Sequence, residues 1–345
     1  MKRLFFLLFV STAVWGEPTV ICSGPAAGGY AAFPDVCRLA DGELLCVFYS
    51  GYAHVSLPNA EWPKGARIMG IRSSDEGRTW SAPAVLIDTS EDDRDPSIAV
   101  VPNGTLSGTL LCNWFTYKPV AEGTTEIHTV IARSIDGGKT WSEPTEIPTG
   151  TLPWVACSTP VRALPDGSLI LGLYTELKEQ DRAFGSTIKS YDGGMTWKDH
   201  SLVDADSGIR LDAETDVIPL KDGRLFAALR GDRVNMHFAL SEDHGKTWGK
   251  VQDIGFRGHC PYLLRHSSGT ILLGVRHPGT SVYWSTDETA TWKGPLQVDE
   301  KHGAYPSLIE LKDGQVLIVY YEEGAGSGIR AARLKVTAEG VSPGS

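Results

Sequence analysis

The chain has 345 residues and a net charge of −10, with 42 acidic side chains against 32 basic ones. That balance argues against nucleic acid and anionic membrane as partners, although a local cationic pocket can sit inside an acidic shell. With 38 Gly, 10 Trp and no long helical period, the composition is that of a strand-and-turn protein.

At the N-terminus, Lys2 and Arg3 precede an apolar run, Leu4 to Val10, and small residues lead on to Gly16. This is the layout of a signal peptide, and the run is too short to span a membrane. No other segment reads as a membrane span. The expectation is an export signal over 1–16, one domain over 17–345, and a soluble product that is secreted or periplasmic.

From there two kinds of turn alternate. The first is a Gly-containing dipeptide between β-rich apolar runs: Asp41-Gly42, Asn103-Gly104, Asp166-Gly167, Asp222-Gly223, Ser268-Gly269 and Asp313-Gly314. Asp-Gly or Asn-Gly in that setting is the strongest short hairpin signal. The second is the octapeptide Ser-x-Asp-x-Gly-x-Thr-Trp. It occurs as SSDEGRTW (Ser73 to Trp80), SIDGGKTW (Ser134 to Trp141), SYDGGMTW (Ser190 to Trp197), SEDHGKTW (Ser241 to Trp248) and a degraded STDETATW (Ser285 to Trp292). Its Asp bonds nearby backbone, its Gly accepts a positive φ, and its Trp buries a large ring against a neighbour. Six hairpins interleaved with these turns, at a period of roughly fifty residues, predict an all-β fold: a six-bladed β-propeller of four-stranded antiparallel blades. An open solenoid of the same units is the alternative, but six units suit ring closure and neither end reads as a polar cap.

Six cysteines in an exported chain raise the question of disulfides. A two-residue turn at Asp41-Gly42 would set Cys37 opposite Cys46, with Cβ atoms ~4.5–5.5 Å apart, slightly wide for a bridge. Two small buried thiols are the favoured reading. No spacing matches a zinc site, so neither metal nor cofactor is expected.

In a propeller the innermost strand of each blade runs along the central funnel, so matching offsets before each hairpin turn form a ring. Eight positions before the turns stand Phe33, Asp95, Ser158, Glu214, Cys260 and Tyr305. One position earlier stand Ala32, Arg94, Cys157, Ala213, His259 and Ala304; eight positions after the turns the set includes Tyr49, Arg230, Arg276 and Tyr321. Any one polar residue at a strand end is explained by nearby solvent. For the set that explanation weakens, because an Arg at the rim of a buried funnel must be paired or hold a ligand anion.

With these residues the chain resembles the sialidase (neuraminidase) superfamily, whose six-bladed propellers carry the same Asp-box turns. The resemblance covers the whole mature chain. Glu214 and Arg230 stand sixteen residues apart across a hairpin, AYPSL contains Tyr305, YYEE ends in Glu322 and Glu323, and Arg276 lies nine residues before Ser285. The resemblance implies a Tyr305 nucleophile, a Glu214 base and a carboxylate clamp that includes Arg230 and Arg276. There are two departures. Ala32 stands where the family has its first clamp arginine, and Arg94 holds the same register one blade later. The first-blade loop YSGYAHVSLPNAEWPKGARI contains no Asp where the family's acid/base Asp is expected; Glu61 and His54 are its proton carriers, and Asp95 on the ring is another candidate.

Hydrolysis of an anionic sugar needs a guanidinium clamp, which binds carboxylate bidentately and never deprotonates. It needs a nucleophile, and sialidases use Tyr rather than a carboxylate. With a pKa near ~10, that Tyr needs a base. It also needs a general acid with its pKa raised by burial. The expected catalytic set is Tyr305, Glu214, Asp95 and Glu61, and the expected substrate-binding set is Arg94, Arg230, Arg276 and His54. The expected protein is a monomeric exo-acting sialidase taking sialylated or other acidic glycans. A propeller glycosidase or lyase for another acidic sugar, and a non-catalytic glycan-binding propeller, are the alternatives.

Overall fold

The computed structural model describes residues 17–121, 124–177, 182–203, 207–231, 233–324 and 327–344. The expected export signal, 1–16, lies outside the described residues. Short turns between apolar runs let each strand pair with its sequence neighbour at little loop-closure cost. The result is six antiparallel sheets. Blade 1 is Tyr30–Arg38, Leu44–Gly51, Arg67–Ser73 and Ala84–Ile87. Blade 2 is Asp92–Val100, Leu110–Ala121, Thr124–Ser134 and Thr145–Glu146. Blade 3 is Arg162–Ala163, Leu169–Leu177, Arg182–Ser190 and Lys198–Leu202. Blade 4 is Thr215–Pro219, Leu225–Leu229, His237–Ser241 and Gln252–Asp253. Blade 5 is His259–Arg265, Ile271–Arg276, Thr280–Ser285 and Lys293–Asp299. Blade 6 is Gly303–Glu310, Gln315–Glu322 and Gly328–Val336.

The ring closes through the start of the domain. Thr19–Ser23 pairs with the third strand of blade 6, Thr19 opposite Ala331 and Ser23 opposite Gly328. Val341–Pro343 pairs with the other half of that strand. This accounts for five Asp-box turns in six blades. Each box joins the third strand of a blade to its fourth, and in blade 6 the fourth comes from the far end of the sequence.

The boxes share one hydrogen-bond pattern. In the first, Gly77 N–H donates to Ser73 Oγ at 2.8 Å, and the Thr79 N–H and hydroxyl donate to the two Asp75 oxygens at 2.8 and 2.6 Å. The glycine is needed for close approach as well as for its positive φ. A Cβ on Gly77 would sit 2.8 Å from Leu317 of blade 6, one on Gly194 2.8 Å from Leu111 of blade 2, and one on Gly245 2.9 Å from Ile170 of blade 3. Each turn therefore presses on the preceding blade. The degraded fifth box keeps the pattern, with Thr289 N–H on Ser285 Oγ at 2.9 Å, by holding Thr289 at φ 70°.

The core is divided among the gaps between blades. Six apolar clusters each join two adjacent blades; one joins Phe48 and Ile71 of blade 1 to Leu317 and Val319 of blade 6, and the next joins Leu45 and Ile68 to Cys112 and Trp114 of blade 2. Two local expectations are corrected. Cys46 pairs with Val36 and Cys37 with Leu45, so the two thiols are not opposite each other; all six cysteines are free and buried. The cause is the turn, which closes from Leu39 to Glu43 and is longer than two residues. In blade 2 the hairpin does not close at Asn103-Gly104. It closes through Val101 N–H to the Thr109 carbonyl and Gly108 N–H to the Val101 carbonyl. The inward register is unaffected, because the added residues lie beyond Val101.

Candidate active site

In four blades the ring residue precedes a proline and takes a left-handed backbone: Phe33 at φ 52°, Asp95 at 49°, Cys260 at 52° and Tyr305 at 45°. Each lies at a break in strand register, between Ala32 and Asp35, Arg94 and Ser97, His259 and Tyr262, and Ala304 and Ser307. A bulge of this kind re-aims a side chain out of the pleat. A non-glycine residue there carries ~1–3 kcal/mol of strain, sustained because ladder pairs on both sides over-determine it. These residues, with Ser158, line the axial opening. Glu214 reaches the ring without a bulge; its N–H bonds to the Asp212 carbonyl at 2.7 Å.

The Tyr305 hydroxyl donates to Glu214 Oε1 at 2.5 Å. Glu214 Oε2 accepts the Cys260 N–H at 2.9 Å, so the carboxylate cannot swing away. Arg230 spans two acids, with Nη1 3.0 Å from Glu214 and Nη2 2.7 Å from Asp212. Burial, and then the Glu214 charge, push the Tyr305 phenol well above its usual range. Burial and a hydrogen bond with Glu176 push Asp212 up to about 8. Arg276 donates to His259 Nδ1 at 3.1 Å. Burial and the two flanking arginines hold His259 down at about 4, so it stays a neutral acceptor.

Arg94 and Asp95 occupy the blade 2 side. Arg94 is 4% exposed and donates to the His54 carbonyl. It lies 3.5 Å from Asp92 and 4.0 Å from Asp95, and its guanidinium carbon stands 5.0 to 5.7 Å from the ring centroids of Phe33, Tyr49, Phe115 and Tyr117. Asp95 is also 4% exposed, and burial raises it to about 7 against the pull of Arg94. One of its oxygens accepts from Ser158 at 3.3 Å, and among the described residues the other has no hydrogen bond.

His54 sits above this floor. Its side chain is 56% exposed, with Nδ1 2.9 Å from the Tyr30 hydroxyl and its ring edge-on to Phe33 at 5.4 Å. Phe33 in turn packs on Tyr305 at 4.8 Å. Tyr305, Glu214, Arg230, Arg276, Asp95 and Arg94 thus gather around one mouth with His54 at its rim. Glu61 does not join them. It is exposed in the same loop, its N–H is tied to Asn59 Oδ1, and among the described residues no hydrogen bond or ion pair links its side chain to the cluster.

Tyr30, Asp212 and Glu176 join the site with no sequence motif to mark them, and Tyr321 and Glu323, which register and the YYEE run do mark, are paired there. Glu323 accepts from the Tyr30 hydroxyl at 2.7 Å and the Tyr321 hydroxyl at 2.6 Å. Its neighbour Glu322 turns away to Arg330 at 3.0 Å. The repeated residue-Pro pairs at Phe33, Asp95, Cys260 and Tyr305 were a readable signal of the bulged ring; nothing in the sequence announced Tyr30.

A model of the BNR repeat-like domain family matches residues 88–318. The chain is a BNR-repeat propeller of the sialidase superfamily. It is 26% identical over 314 residues to a sialidase of Bacteroides fragilis, an alignment covering 76% of this chain and 55% of that protein. The BNR propeller therefore spans about half the length of that curated relative. Among solved structures, a protein of unknown function from Dyadobacter fermentans superposes with a TM-score of 0.80 at 24% identity, covering 94% of this chain and 99% of that one. The NanB sialidase of Streptococcus pneumoniae superposes with a TM-score of 0.73 at 15% identity, covering 93% and 71%. At these identities the two structures establish the shared fold.

Proposed function

We propose that this propeller is an exo-acting glycoside hydrolase that removes a terminal acidic sugar, with sialic acid the first candidate. The observation that carries the reading is the 2.5 Å hydrogen bond from Tyr305 to Glu214 at the floor of the mouth, beside Arg230 and Arg276. A phenol pushed above its usual range is a poor nucleophile until a base takes its proton, and Glu214 is already bonded to that proton. Tyr305 Oη then bonds the anomeric carbon as the glycosidic bond breaks. Arg276 receives the sugar carboxylate, because a guanidinium fork binds it in a fixed plane. The similarity to a sialidase of Bacteroides fragilis supports the reading in kind. Export through residues 1–16 and action as a monomer on extracellular or periplasmic glycans belong to the same proposal.

A second reading, a glycosidase for a different acidic sugar, draws on the arginines. Arg94 and Arg230 are both committed to protein carboxylates, which leaves a thinner clamp than three open guanidinium groups. Proton NMR of digests decides between them. Release of free sialic acid from α2,3-, α2,6- or α2,8-sialosides supports the first reading, and the first anomer to appear reports retention or inversion. Flat spectra on all three with release of a uronic acid from another glycan support the second. No release from either class leaves a glycan-binding propeller.

A further inference from the structure

We propose that His54 is the proton donor to the leaving-group oxygen, oriented by a relay through Tyr30 to the Glu323 carboxylate. The inference rests on the glycosidase reading and assigns the step that reading leaves open. When a glycosidic bond breaks, its electron pair moves to an oxygen that must gain a proton. That oxygen carries the rest of the glycan, so its donor belongs at the open rim and not at the floor.

Three candidates can be separated by placement. Asp95 is 4% exposed, lies at the floor, accepts from Ser158 and faces Arg94. Glu61 makes no side-chain contact with the cluster among the described residues. His54 is 56% exposed and stands one phenyl ring from the nucleophile, through Phe33 to Tyr305.

The hydrogen bonds also settle which nitrogen acts. Tyr30 has one hydroxyl proton, and it is given to Glu323 Oε1 at 2.7 Å. The 2.9 Å contact with His54 Nδ1 must then run the other way, with Nδ1–H donating to Tyr30 Oη. This fixes the tautomer and leaves Nε2 as the working nitrogen. Protonated, it donates to the leaving oxygen as Tyr305 bonds carbon and Glu214 takes the Tyr305 proton. Neutral, it accepts a proton from the water that later displaces Tyr305, whose oxygen recovers its proton from Glu214. Every proton returns to its origin, and no further reactant is required.

The groups facing His54 are Tyr30 from blade 1, Arg94 and Asp92 from blade 2, Arg276 from blade 5, and Glu323 from blade 6. Burial and then the Arg94 charge lower its pKa, with Glu323 opposing. An anionic substrate on Arg276 would neutralise part of that field and raise the pKa as the proton is needed. The free enzyme should therefore lose kcat/KM as pH rises through the lowered His54 value.

The test compares His54→Ala with wild type on two glycosides of one sugar, chosen as one that wild type hydrolyses. One carries 4-nitrophenol, which leaves without a proton; the other carries an unactivated sugar alcohol. The expected loss is about 10²- to 10⁴-fold on the unactivated substrate and far smaller on the nitrophenyl glycoside, which also loses the alkaline limb of its kcat/KM profile. Tyr30→Phe, which removes the acceptor for Nδ1–H, should move that limb and lower the rate on the unactivated substrate more than on the nitrophenyl glycoside. His54→Gln serves if the alanine variant does not fold. Equal losses on both substrates would overturn the assignment and make His54 a binding residue. The leaving-group pattern appearing in Asp95→Asn instead would transfer the role to Asp95. No wild-type turnover on any glycoside would remove the underlying glycosidase reading, and this one with it.

Discussion

Tyr305 on blade 6 and Glu214 on blade 4 are 91 residues apart in sequence, and a 2.5 Å hydrogen bond joins them across the funnel. Neither strand pairs with the other. Their meeting depends on the closed ring, on the bulge that turns Tyr305 inward, and on the Cys260 N–H that holds the far oxygen of Glu214.

The pair makes the first prediction. Tyr305→Phe should lower kcat by on the order of 10³-fold or more, as loss of a nucleophile does. Its melting temperature should stay close to wild type, since Glu214 keeps the Cys260 N–H and Arg230 as partners when the hydroxyl is removed. Stopped assays on the best wild-type substrate, with calorimetry in parallel, check both halves. A Phe variant with near-normal turnover would point to direct attack by water and inversion.

Arg94 tests whether burial or catalysis explains a cation. It is enclosed by four aromatic rings and faces two buried carboxylates. Arg94→Ala should therefore leave Asp92 and Asp95 unpaired and cost about 3–5 kcal/mol, read as a shifted denaturant midpoint. The preference for acidic over neutral sugar should not change. Lost preference with unchanged stability would make Arg94 the replacement for the cation absent at Ala32.

Stability should peak in mild acid. Burial raises Asp35 to about 6, and Asp93 and Asp95 to about 7. A carboxyl with a raised folded pKa binds its proton more tightly in the native state, so stability falls as pH rises from about 4 through 7. Thr79 hydrogen bonds lower Asp75 to about 2, and Arg38 lowers Glu76 to about 2. Those groups contribute stability above about 4 that is lost as pH falls towards 2. Melting temperatures at pH 3, 5 and 8 should be highest at 5, and Asp95→Asn should flatten the alkaline side. A maximum at pH 8 would contradict the account.

The degraded Asp box offers a stabilising change. Thr289 is a β-branched residue at φ 70°, where the other boxes have glycine. Thr289→Gly keeps the N–H bond to Ser285 and removes the strain, a gain of about 1 kcal/mol, visible as a rise in melting temperature. A fall would show that the Thr289 side chain packs more favourably than its backbone is strained.

Much of this protein is written in local sequence. Octapeptide turns and Gly hairpins state their own geometry within a few residues, so the blade count and the ring register that aligns Asp95, Glu214 and Tyr305 could be read directly. In blade 2 the turn extends beyond Asn103-Gly104 and the inward register is the same, because an insertion at a hairpin tip leaves the strand before it in phase. Other features depended on residues far apart in the chain. Thr19–Ser23 reads as a loose end until the ring brings it against Gly328–Val336. Cys37 and Cys46 fell out of register through the exact length of one turn, since adding a residue to a turn turns every later side chain to the other face. Arg94 reads as a clamp by offset, and only the packed structure shows the aromatic rings and acids that surround it. Tyr30, His54 and Glu323 come from three separate segments, and their relay exists only where the first and last blades meet. Pattern specifies which way a side chain points. Burial and charge partners decide what it can do there, and those are supplied by neighbours distant in the chain.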